Sequence, residues 1–237
     1  MEKHAFQLLH DAEHSWWYRG RSFVVGRILG RYLRERRTEK ILDLGAGFGG
    51  MLPVLKKYGT VTAQEPDAEA RERCRAQGYD DVAATEDPEL LPKNSFSLIC
   101  AFDVLEHTPD DGAFLRLIHG LLFDDGSLVL TVPAWQWLWS EHDVLHHHYR
   151  RYSRKQLVHL LESAGFRVCY ASYWNMLFFF PMAFVRLLGR SGEGALSLSR
   201  PLNALLFAVV LVESLVVPHL SLPLGTGIVV FAEKRGK

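Results

Sequence analysis

Two groups of residues in this sequence have the types and spacing that chemistry requires. The first is Gly45-Ala46-Gly47-Phe48-Gly49, which follows the apolar run Ile41-Leu42-Asp43-Leu44, with an acid, Glu65, closing the next apolar run. Glycines spaced this way let a strand turn sharply into a helix and let the backbone approach a ligand closely, and the first N–H groups of that helix have no intrahelical partner. A carboxylate about 20 residues further on, at the end of a neighbouring parallel strand, is placed for a ribose diol. The second group is His142-Asp143-Val144-Leu145-His146-His147-His148, together with the earlier pair Glu106-His107. Imidazoles titrate near neutrality and are natural proton acceptors. If residues 140–148 are helical, His142 and His146 share a face, and Asp143 shares one with His146 and His147, where an acid orients an imidazole as a base. A zinc site is the sharper alternative for these histidines, but it has no cysteine nearby and no defined third ligand.

The glycine spacing alone leaves the chemistry open. Gly45, Gly47 and Gly50 also satisfy the dinucleotide pattern G-x-G-x-x-G, so a hydride-transfer enzyme and a group-transfer enzyme fit equally, and a tight turn without a ligand fits as well. Around the histidines, Arg150 and Arg151 between Tyr149 and Tyr152 offer guanidinium forks and rings for an anionic acceptor, or form a basic loop ahead of a helix capped by Ser153. Trp135, Trp137 and Trp139 recur with period two and suit either core or the wall of a substrate pocket.

Alternating elements must position these groups. Apolar, β-branched runs predict strands near 40–44, 60–65, 81–84, 97–102, 127–132, 166–172 and 227–233. Helical periodicity falls near 20–37, 50–58, 67–77, 110–123 and 154–164. Such βα alternation predicts an α/β fold with a mainly parallel sheet, helices on both faces and ligands at the carboxyl ends of the strands.

At this point the ordered motifs resemble a family. Asp43-Leu44-Gly45-Ala46-Gly47-Phe48-Gly49, Glu65 and Phe102-Asp103-Val104-Leu105-Glu106-His107 together resemble the class I S-adenosylmethionine-dependent methyltransferases, particularly the small-molecule branch that includes ubiquinone-biosynthesis O-methyltransferases. The likeness runs on through Asn94-Ser95-Phe96, Asp124 to Pro133 and Ser163-Ala164-Gly165-Phe166. It implies a Rossmann-like seven-stranded sheet whose last, antiparallel strand is Gly225 to Lys234, with S-adenosyl-L-methionine as cofactor. It further implies cofactor contacts from Asp43, Gly45, Ala46, Gly47, Glu65, Pro66, Phe102 and Asp103, with Glu86 and Asp87 near the adenine. An N-terminal helical lid, residues 1–38, would bring Arg19 or Arg21 to the methionyl carboxylate. Methyl transfer to a hydroxyl needs a base, for which His142, His107 and His146 are candidates, and Trp135, Trp139, Tyr149, Arg150 and Arg151 would receive the acceptor. Asp103, Glu106 and His107 match in type the divalent-ion ligands of some relatives, but serve equally well as hydrogen-bond partners, and no metal is assigned.

The remaining sequence sets limits. A chain of 237 residues suits one α/β domain with an insertion, and 27 basic against 27 acidic residues leave no global field for nucleic acid. Three scattered cysteines favour a reducing compartment, and the polar start Met-Glu-Lys-His favours the cytoplasm. The family's last two strands normally lie a short turn apart, so residues 174–224 read as a hydrophobic helical insertion within a cofactor domain of 39–173 and 225–237. That insertion is expected to cap the acceptor pocket, admit a small or lipid-like acceptor at the inner face of a membrane, or form a homodimer contact, with Ser191 to Gly194 as a flexible joint. Two rival functions fit less of the chain: an NAD-dependent oxidoreductase, and a non-catalytic membrane-associated interaction protein on the methyltransferase fold.

Overall fold

Apolar runs, each too greasy to face water and too short to bury itself alone, join into one seven-stranded sheet, one edge of which is a strand of only two residues. The computed structural model describes residues 15–34, 38–188 and 199–235; the expected joint at 191–194 and the start of the expected lid lie outside them. The strands are β1 (Lys40–Leu44), β2 (Thr60–Gln64), β3 (Asp81–Val82), β4 (Phe96–Phe102), β5 (Leu122–Pro133), β6 (Phe166–Trp174) and β7 (Gly227–Lys234). Their order is β3-β2-β1-β4-β5-β7-β6. Strands β1 to β5 pair in parallel, whereas β7 runs antiparallel to both β5 and β6. The Rossmann-like architecture with a reversed last strand is therefore present. The parallel pairing brings Leu44, Gln64 and Phe102 to one edge, where the glycine turn and the Asp103 turn begin.

The helices are α1 (Trp16–Tyr32), α2 (Leu52–Leu55), α3 (Ala68–Gln77), α4 (Asp111–Leu121), α5 (Glu141–Leu145), α6 (Arg154–Ser163), α7 (Met176–Leu187) and α8 (Arg200–Val216). Several bounds differ from those read in the sequence. Helix α1 starts at Trp16 because the Ser15 hydroxyl caps it, accepting from the Tyr18 amide. Only four residues of the expected 50–58 helix are helical, and β3 is two residues long. Helix α4 ends at Leu121, and the chain enters β5 five residues before the expected start, with Leu122 pairing Phe96 ahead of a register shift. Helix α5 stops at Leu145, so His147 and His148 lie beyond it.

Helices α7 and α8 occupy the stretch between β6 and β7. Helix α8 lies beside α1, in parallel and in register: the Trp16 amide donates to Asn203 Oδ1 at 2.7 Å, and Arg27 Nε donates to Ser214 Oγ at 3.1 Å. The acid that interrupts the apolar run of α8 has a structural use. Glu213 accepts from the backbone amides of Asn175 and, at 2.8 Å, Met176, so a carboxylate meets the positive end of α7. Glu213→Ala should cost about 1–3 kcal/mol, because buried amides lose their acceptor, while Glu213→Gln should retain most of the stability. Denaturant titration of both variants checks this, and an unchanged midpoint for the alanine variant would remove Glu213 as the clip. No helix among the described residues is long and apolar enough to cross a membrane.

Candidate active site

The glycine turn is held by the strand next to it. Gly45 and Ala46 both donate backbone amides to the Gln64 carbonyl, at 2.9 and 3.1 Å, and Gly45, Gly47 and Gly49 take positive φ values of 71°, 56° and 84°. A Cβ on Gly45 would lie 2.6 Å from Val104 Cγ2, so this position needs glycine for packing; beside Gly47 nothing stands within 4 Å, which leaves an open cradle. Glu65 closes the turn, its carboxylate accepting from Gly47 N at 2.8 Å and Asp67 N at 3.0 Å, and the neighbouring Pro66 is exposed. Burial raises its pKa, an effect those two amides oppose. Asp43 sits deeper than expected: its carboxylate is buried and accepts from Tyr79 OH at 2.6 Å, so it braces the floor beneath the turn. Burial, partly countered by Tyr79 and Arg21, lifts its pKa to about 6.

The turn after β4 meets α1. Asp103 adopts φ 56°, accepts from Thr131 Oγ1 at 3.1 Å and forms an ion pair with Arg21. Arg21 Nε is buried with no hydrogen-bond partner, beside the buried ring of Phe102. An orphaned guanidinium N–H here suits an incoming carboxylate. Arg19 points elsewhere, its guanidinium 3.9 Å from the centre of the Phe207 ring on α8, so α1 brings only Arg21 to this edge. Glu86 and Asp87 are exposed and have local tasks: Glu86 pairs with Arg71 at 3.0 Å, and Asp87 caps the turn at 88–90 by accepting from Glu89 N.

The histidines gather where the turn after β4 touches the loop after β5. Ring centres of His107 and His148 are 4.6 Å apart and those of His142 and His146 4.2 Å, with His148 6.1–6.2 Å from the latter two. His107 and His142 keep a solvent-facing edge, yet packed surroundings first, then neighbouring imidazoles, bring their pKa values to about 4; His146 is lowered for the same reasons. All three are therefore uncharged at neutral pH and free to accept a proton or a metal.

Asp143 does not orient His146 or His147 as expected. Its partner is His148, at 2.9 Å, along with both nitrogens of the Arg151 fork at 2.8 Å. The expected anion clamp is likewise not assembled: Arg151 is committed to Asp143, and Arg150 pairs with Asp111 at 2.9 Å and donates to the Pro109 carbonyl. Tyr149 is exposed. The tryptophans do not alternate as in a strand, because residues 136–138 form a 3-10 turn. Trp135 stacks on Tyr173 at 4.8 Å and donates to the Gly225 carbonyl, Trp137 meets Phe179 edge-on, and Trp139 is half-buried.

Glu106 and His107, which match divalent-ion ligands in type by sequence, are joined by His148, to which sequence reasoning assigns no role. Glu106 is 1% exposed and neither carboxylate oxygen has a hydrogen-bond partner. Burial, then the charge of Asp103, push its carboxyl well above the usual range. Glu106, His107 and His148 each offer a ligand atom, all within 4.8 Å of one another. This set fits a divalent ion, and two imidazoles with one carboxylate suit a transition metal better than magnesium. The turn itself pointed to Glu106 and His107 in the sequence, whereas His148, on a separate element 41 residues beyond His107, takes the place expected of Asp103.

The chain belongs to the methyltransferase domain family, which it matches over residues 7–171. That family and the fold together support a class I methyltransferase with S-adenosylmethionine as methyl donor. The ubiquinone biosynthesis O-methyltransferases of Pseudomonas aeruginosa are 28% identical to it over 134 residues, covering 50% of this chain and 57% of theirs. The chain thus spans little more than half the length of those relatives. Among solved structures, a methyltransferase dependent on S-adenosylmethionine from Mesorhizobium loti superposes with a TM-score of 0.57 at 18% identity, covering 89% of this chain and 100% of that one. Another, from Archaeoglobus fulgidus, gives 0.56 at 16% identity, covering 90% and 94%. At these identities the superpositions speak for the fold alone.

Proposed function

We propose that this enzyme methylates a hydroxyl group on a small or lipid-like acceptor, such as a phenol carrying an apolar tail. The observation that carries the reading is the group of uncharged imidazoles, His107, His142 and His146, gathered beside the turn at the cofactor edge. The likeness to ubiquinone biosynthesis O-methyltransferases supports the same acceptor chemistry.

When bound, S-adenosylmethionine supplies a methyl group on a sulfonium whose positive charge disappears on transfer. The residues around it then have separate tasks. Glu65 accepts from the ribose hydroxyls while keeping its hold on Gly47. Gly47 leaves room for the ligand to approach the backbone, and Arg21 turns its unpartnered Nε to the methionyl carboxylate. Phe102 walls the site against water, and alignment in a dry pocket supplies much of the acceleration. One imidazole takes the proton from the acceptor hydroxyl as the new bond forms. Glu106, His107 and His148 would hold a divalent ion, which would lower the pKa of a coordinated hydroxyl and leave the proton to His142 or His146. Trp135 and Trp139 remain the candidate acceptor walls.

The test is to incubate the protein with donor and a set of hydroxylated aromatic acceptors, then follow methylated product by mass spectrometry. Methylation of amines or carbon nucleophiles with none at oxygen would overturn the reading. Once an acceptor is known, His142→Gln should lower turnover by about 100-fold while leaving S-adenosylhomocysteine affinity nearly unchanged. Full turnover in both His142→Gln and His107→Gln would assign the proton to His146 or to solvent.

A further inference from the structure

We infer that the outer surface of α1 and α8 docks on an anionic lipid bilayer. Helix α8 is apolar on every side. Val210 and Val217 are buried, while on the opposite side Leu205, Val212 and Leu215 are 61%, 63% and 50% exposed. Its one acid, Glu213, is buried against the amides at the start of α7, so nothing charged interrupts the outward face between Arg200 and Val216. Helix α7 adds exposed Leu177, Phe180 and Phe184 nearby. An apolar face of this length, left in water, calls for a partner.

Helix α1 identifies which partner. Arg19, Phe23, Arg27 and Arg31 recur every fourth residue and form one exposed row, and no acid occurs from Ser15 to Arg34. The row lies along the flank of α8: Arg19 stacks on Phe207, Arg27 donates to Ser214, and Arg31 Nη1 meets His219 Nδ1 at 2.6 Å. The surface is therefore an apolar stripe edged by cations. A second copy of the chain would have to bring two such arginine rows together across a two-fold axis, with no exposed acid on either helix to receive them. A bilayer with anionic headgroups satisfies both halves at once. Apolar side chains enter the acyl boundary while the arginines, whose stems lie on the protein, reach phosphate. With no span among the described helices, α8 would lie flat, about 25 Å of helix in the headgroup layer. Docking in this way needs no particular acceptor, and so stands apart from the proposed reaction.

Co-sedimentation of the full chain with vesicles tests this, using phosphatidylcholine alone and phosphatidylcholine with phosphatidylglycerol, at low and high salt. The protein should pellet with the anionic vesicles and be released by salt. Arg27→Gln and Arg31→Gln should each weaken partitioning about fivefold, and Val212→Glu should weaken it further, all three with unchanged circular dichroism. Folded protein remaining in the supernatant with anionic vesicles would overturn the inference, as would equal binding to neutral ones. If the native chain is a dimer that Leu205→Glu converts to a monomer without changing vesicle partitioning, the face belongs to a second copy and the inference also fails.

Discussion

Replacing Glu65 by alanine should weaken binding of S-adenosylhomocysteine by roughly 10- to 150-fold, the equivalent of about 1.5–3 kcal/mol in charge-assisted hydrogen bonds. The structure adds a second consequence. Glu65 also accepts from Gly47 N and Asp67 N, so the alanine variant leaves two amides of the turn without their acceptor and loosens the cradle as well as removing the diol contact. Glu65→Gln separates the two effects. Its amide keeps one oxygen for one of these N–H groups but places an NH2 against the other, so it should recover only part of the affinity. Titration calorimetry of both variants, with thermal unfolding as a control, makes the measurement. Unchanged affinity in the alanine variant would remove Glu65 from the cofactor site.

That turn was legible in the sequence because its causes are local. Positive φ at Gly45, Gly47 and Gly49 demands glycine, and a buried parallel strand demands an unbroken apolar run, so the β1 turn and the central strands can be read directly. The long gap before the closing strand also marked out the hydrophobic stretch that holds α7 and α8. What sequence could not supply was the partner of each polar group. Asp43 looked like a cofactor contact by position and is bonded to Tyr79, 36 residues away. Glu213 looks like a flaw in an apolar helix, but it accepts from the amides at the start of α7, 37 and 38 residues back. Arg19 and Arg21 are two residues apart, and helical geometry alone turns one to α8 and the other to Asp103. The arginine row of α1 gains its meaning only beside α8, whose residues lie 187 positions further along the chain.

Asp143 shows the same limit with the largest energetic stake. Asp143→Ala should destabilise the protein by about 3–5 kcal/mol, because it leaves the guanidinium of Arg151 buried and unpaired. Asp143 also accepts from the amide and hydroxyl of Ser140, closing a capping box on a helix of five residues. Losing it should therefore release His142, His146 and His148 together, and turnover should fall even under conditions in which the rest of the sheet stays folded. Burial acts to raise the pKa of Asp143, but the hydrogen bonds from His148 and Arg151 and the charge of Arg151 outweigh it and hold the carboxyl well below its ordinary range. Since its folded pKa is depressed, the contribution is complete above about pH 4 and is lost as the pH falls below it. Replacing both partners with apolar residues, Asp143→Leu with Arg151→Met, should recover part of the stability without recovering turnover, because the cost lies in the orphaned charge whereas the histidines still lose their anchor. Denaturant titration of the single and double variants decides between outcomes. A loss below about 1 kcal/mol in Asp143→Ala would mean that Arg151 finds another acceptor and that the histidine loop is held by its backbone alone.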